Sequence, residues 1–110
     1  MTMPNKYLQA AKDHYKALGT PHIDIPEWTV DGKPLRIFWK PITCIEQDEI
    51  RAGDNTDLEI FIKKAMTESG DRMFTLEDKM HLKALVAPQI ITRVAVKMML
   101  LPSIEDAVKN

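Results

Sequence analysis

At 110 residues, with 45% hydrophobic and 28% charged positions, the chain has the composition of a soluble globular protein and the length of one domain. A chain of this size buries about 65% of the surface its unfolded form exposes, enough for one core without staples. Its 15 basic and 16 acidic residues leave a formal net charge of −1, which offers no footprint for nucleic acid and no pull toward an anionic membrane. Cys44 is the only cysteine, so no internal disulfide can form, and a reduced compartment fits. No stretch has the pattern of a signal peptide or approaches the roughly 18 apolar residues of a membrane span. The expected location is the cytoplasm in which the chain is made.

In chain order, Leu8, Ala11, Tyr15 and Leu18 recur at helical spacing and predict an amphipathic helix over 5–18. Gly19 suits its C-cap and Pro21 forbids continuation. The stretch "GTPHIDIP" reads as an extended connection. The N-terminal helix, within 1–19, is therefore expected to dock loosely or to exchange onto a second copy.

A β-hairpin is predicted over 25–41, with a type I′ turn at Asp31-Gly32. Pairing across that turn sets Val30 opposite Lys33, Thr29 opposite Pro34, Trp28 opposite Leu35 and Glu27 opposite Arg36. One face then carries Trp28, Val30, Leu35, Ile37 and Trp39. An isolated hairpin is marginal in water, so this face must pack on the helices. The hairpin reads as a scaffold capping a helical core, with Trp28 and Trp39 also candidates to anchor a partner.

The region 43–109 reads as helical. Thr43 with Glu46, and Thr56 with Glu59, have capping-box spacing. Thr75 precedes Leu76-Glu77-Asp78, and Ser103 precedes Glu105 and Asp106, placing carboxylates in first turns. Over 57–68, Leu58, Phe61, Ile62, Ala65 and Met66 form one apolar face. A less regular pattern over 76–86 centres on Leu76, Met80, Leu82 and Leu85. After Pro88, Gln89, Arg93 and Lys97 make one narrow polar stripe on "QIITRVAVKMMLL". That helix is expected either to be buried on most sides as the central core helix, or to give one face to the core and one to a partner or a second copy. The fold class predicted is α+β, mainly α-helical: a small helical domain, 1–110, with one β-hairpin.

Chemistry-bearing patterns are few. No phosphate-binding loop or dinucleotide fingerprint is present. His14, His22 and His81 lie far apart, and no metal-ligand spacing joins them to Cys44. No metal and no cofactor are expected. A helix N-terminus can activate a thiol, but no base is identified for Cys44, and a small packed side chain is the simpler reading. Glu46, Asp48 and Glu49 read as a solvated helix face. The seven methionines suit either core filling or an adaptable binding surface. Core filling is the reading for Met66 and Met80. The end Met98-Met99-Leu100-Leu101 is the stretch assigned to a partner.

The order of these segments resembles the small tail assembly chaperones of long-tailed bacteriophages. The resemblance rests on Pro26-Glu27-Trp28, then Lys40-Pro41-Ile42-Thr43 before an acidic helix. It continues through Phe74, Thr75, Glu77, Asp78 and Leu82, and ends on Ile91, Arg93, Val94 and Ala95. It spans most of 20–101, and the order of its short motifs carries it. The resemblance implies a non-enzymatic protein in the cytoplasm of an infected or lysogenic bacterium. Such a protein binds and solubilises the tape-measure protein and helps recruit tail-tube subunits during tail morphogenesis. Many members are also made as a longer frameshifted product. A homo-oligomer is compatible with this role, and neither nucleic acid nor membrane is an expected partner. The rival readings are a structural head–tail or tail-completion protein retained in the virion, and a small enzyme using Cys44.

Overall fold

The computed structural model describes residues 5–100. Helix α1 (Lys6–Ala17) begins at Asn5, whose side-chain oxygen accepts the N–H groups of Tyr7 at 2.9 Å and Leu8 at 3.2 Å. It stops at Gly19, which takes the left-handed backbone (φ 69°) and donates its N–H to the carbonyl of Lys16. No residue of α1 is buried, whereas Leu18, one position beyond it, is.

Strands β1 (His22–Val30) and β2 (Lys33–Phe38) form a two-stranded antiparallel sheet. Asp31 (φ 54°) and Gly32 (φ 78°) make the expected left-handed turn, and the Val30–Lys33 and Thr29–Pro34 pairs are as predicted. Beyond them the predicted register fails. Ile25, not Trp28, faces Leu35, and Asp24, not Glu27, faces Arg36. Pro26, Glu27 and Trp28 bulge out of the ladder between Ile25 and Thr29. Pro26 has no N–H to give the ladder, so a bulge costs least there. Strand β1 consequently starts at His22, inside the stretch read as a connection.

The bulge redirects two side chains. Trp28 meets the Phe61 ring edge-on, with centroids 5.9 Å apart and planes at 86°. Glu27 pairs with the Arg93 guanidinium, which holds its carboxyl down to about 2. Val30 is exposed, a correction to its predicted place on the packed face.

Helix α2 (Cys44–Arg51) has the expected capping box. The Thr43 hydroxyl accepts the Glu46 N–H at 3.3 Å, and the Glu46 carboxylate accepts the Thr43 N–H at 3.0 Å. Helix α3 (Thr56–Lys64) is capped by Asn55, which accepts the Leu58 N–H at 3.2 Å, and not by Thr56. Glu59, the expected partner of Thr56, instead pairs with Lys79. Helix α3 ends at Lys64, short of the predicted 57–68, because Ala65 turns extended. Met66 then exchanges both backbone hydrogen bonds with Phe38, at 2.9 Å each, satisfying groups at the end of β2.

A 3-10 turn (Leu76–Asp78) leads into α4 (Lys79–Leu85), and α5 (Pro88–Met99) starts with proline in its first turn. Of the pattern read over 76–86, only Leu82 is buried; Leu76, Met80 and Leu85 are exposed, which corrects the core reading of Met80.

The core joins Ile25, Ile37 and Trp39 of the hairpin region to Phe61 of α3 and Val94 of α5. Its central helix is α3, which buries Leu58, Ile60, Phe61, Ile62 and Lys64 and meets α2, α4 and α5. Of the two arrangements expected for α5, burial on most sides is not found. It buries only the stripe Ile90, Ile91, Val94, Ala95 and Met98, and leaves Val96, Met99 and Leu100 exposed. The difference is one of neighbours: among the described residues α5 packs chiefly on α3 and also meets β1, and the side facing away from them is exposed. The architecture is the small, mainly helical α+β class with one hairpin. No described helix is long and apolar enough to cross a membrane.

Candidate functional site

A cavity of about 440 Å³ opens where α1, α2 and the C-terminal end of α5 approach one another. This is within the size range of ligand and side-chain pockets. Its lining includes the buried Leu18, Pro41, Ile50, Ile60 and Met98. Exposed lining residues include Met99 and Leu100 of the α5 end, Cys44 of α2 and His14 of α1.

Each wall follows from local sequence. The Thr43 capping box fixes the start of α2, and Pro41 just before it is buried. The Tyr15 hydroxyl of α1 donates to the Pro41 carbonyl at 2.6 Å, tying α1 to that loop. Burial and the nearby Glu46 charge push the Tyr15 phenol above its ordinary 10.0. Helix α2 is held to α3 from the other side. The Lys64 ammonium, on a side chain almost wholly buried, sits 2.9 Å from both oxygens of Glu46, and Lys63 pairs with Glu49. Two of the three carboxylates read as a solvated face thus join helices. Among the described residues α1 has no comparable lock, so one side of the cavity is a lightly attached helix.

The structure separates the residues assigned to a partner. Met98 is 2% exposed and Trp39 is 1% exposed, so both belong to the core, and Met98 also forms part of the cavity lining. Met98 falls on the buried stripe of α5, and Trp39 follows β2 on the same inward side as Ile37. Trp28 is half-buried on Phe61. Met99 and Leu100 are 47% and 60% exposed and lie together at the cavity. Leu101 and the Ser103 capping signal lie outside the described residues. Cys44 is exposed, not packed.

Sequence reasoning missed Leu18, Ile50 and Ile60 as members of one site. They come from three separate segments, and each alone reads as ordinary core. Among the described residues no group of three His, Cys, Asp or Glu side chains is placed to hold a metal ion. No family model, curated protein or solved structure matches the chain.

Proposed function

We propose that the chain is a tail assembly chaperone of a long-tailed phage, working in the host cytoplasm, and that the cavity receives an apolar helical segment of the tape-measure protein. The observation that carries this reading is the open apolar cavity walled by the lightly held α1. The exposed Met99 and Leu100 lie beside it. A helix seated in a groove is recognised by adaptable apolar side chains, which methionine supplies. The order of motifs from Pro26 to Ala95 supports the same reading.

The test is co-expression with the tape-measure protein encoded nearby, followed by pull-down and a solubility assay. The tape-measure protein should be soluble only in the presence of this chain. Met99→Glu and Leu100→Glu should abolish that effect while leaving the circular dichroism spectrum intact. Met98→Glu is unsuitable, because it places a charge in the core. Failure of a folded chain to form any complex, with its recovery instead from purified particles, would replace the chaperone by a structural tail protein.

A further inference from the structure

We infer that the cavity between α1, α2 and α5 selects a helical segment that carries carboxylates beside its apolar residues. This deepens the reading above by naming the partner's chemistry, and it rests on that reading for the partner's helical form.

The argument starts from where the charges are. Among the described residues the basic groups lining the cavity are His14 and Arg51, and no carboxylate lines it. Five carboxylates elsewhere are ion-paired: Asp24 with Arg36, Glu27 with Arg93, Glu46 with Lys64, Glu49 with Lys63 and Glu59 with Lys79. The arginines show the same contrast. Arg36 and Arg93 fork onto carboxylates and Arg72 reaches the Ile62 carbonyl. Arg51 makes no side-chain hydrogen bond among the described residues, although it borders the apolar cavity.

Its place in the last turn of α2 compensates that helix's carbonyl end. That accounts for a cation at this position but leaves the planar donor fork unused. Helix ends of both polarities border the cavity. The starts of α2 and α3 contribute Cys44 and Thr56, and the ends of α1 and α5 are represented by Leu18 and Leu100. Their dipoles oppose one another, so the side chains set the sign. A segment of apolar and acidic residues therefore matches both the lining and the fork, which suits planar carboxylates.

The experiment uses two fluorescein-labelled synthetic helical peptides with the same leucine stripe, one flanked by glutamates and the other by lysines. Fluorescence anisotropy with the full chain at low salt should show the glutamate peptide binding about fivefold tighter. The preference should shrink at high salt. Arg51→Gln should remove it and Arg51→Glu should reverse it, with the fold checked by circular dichroism. Leu100→Glu should weaken both peptides. Equal affinity, a preference for lysine, or indifference to both Arg51 variants overturns the inference. So does a concentration-dependent dimer in sedimentation that Arg51→Glu abolishes, which would assign the cavity to a second copy. Tape-measure solubilisation without charge preference leaves the chaperone reading and removes this one. Charge preference without tape-measure binding does the reverse.

Discussion

The two sides of this molecule are held together by different means. On one side the hairpin, α3 and α5 share a dry core in which Ile25, Ile37, Phe61 and Val94 are fully buried. On the other, α1 buries no residue, and among the described residues its ties to the rest are the buried Leu18 and one side-chain hydrogen bond, that of the Tyr15 hydroxyl to the Pro41 carbonyl. Helix α2 stands between, fixed to α3 by the Lys64–Glu46 and Lys63–Glu49 pairs. Burial of apolar area gives the first side stability that a single hydrogen bond cannot match. The cavity lies on the second side. A binding site that must admit a partner is expected in the part of the fold with least to lose on opening.

Substitutions at four positions bear on that contrast. Phe61→Ala, at the centre of the dry side, should have the largest effect, a loss of about 3–5 kcal/mol read from the urea midpoint. A loss below that of the Lys64 and α1 variants would place the centre of stability elsewhere.

Lys64→Ala comes next, with an expected loss of about 1–3 kcal/mol, reduced because Glu46 can partly rehydrate. Lys64→Met, which keeps the packed stem, should lose less. The pair also sets an acid dependence. Burial raises the Glu46 carboxyl, but the hydrogen bonds from the Lys64 ammonium and the Thr43 N–H outweigh it, so the group ionises below its usual 4.5. A carboxyl lowered on folding contributes stability that is fully present above the unfolded value and lost as pH falls through the folded one. Acidification through and below 4.5 should therefore destabilise the native chain more than the Lys64→Ala chain. Equal acid slopes would show that the pair contributes no such term.

Tyr15→Phe should cost about 1 kcal/mol and speed hydrogen exchange in α1 while leaving α3 and α5 protected. Uniform acceleration across the chain would mean that α1 is part of the cooperative core. The smallest effect is expected for Leu8→Ala, within about 0.5 kcal/mol, because the side chain is already half exposed.

Local signals were legible wherever a residue's own backbone chemistry decides the outcome. The Asp31-Gly32 turn, the Thr43–Glu46 box and the stop of α1 at Gly19 all appear where the sequence places them. Where two signals competed, the structure took one. Asn55 displaced Thr56 as the cap of α3, since both are good caps and Glu59 was drawn to Lys79. Pro26 could have been read as a break in the ladder, since a missing N–H marks a bulge, and that alone would have freed Glu27 from Arg36.

Periodicity ranked the helices wrongly, because an apolar surface does not say how many neighbours will cover it. Helix α5 has more apolar positions than one face needs, and among the described residues Val96, Met99 and Leu100 lie outside the stripe that packs and stay exposed. Helix α3, with two lysines at its end, became central because α2, α4 and α5 all settled on it. The cavity had no local signature at all, since Leu18, Ile50, Ile60 and Met98 are ordinary core residues until the chain brings them together.

The sequence by itself thus determined the fold class, the turn, the capped start of α2 and the absence of any residue spacing that demands a metal. These depend on dihedral preferences, capping hydrogen bonds and the count of residue types, all of which act within a few positions. Only the tertiary structure decided that Met98 and Trp39 are interior, that Met99 and Leu100 are exposed beside a cavity, and that Arg51 borders it without a partner among the described residues. Those outcomes depend on which distant surfaces meet, and burial is a property of the meeting and not of the residue.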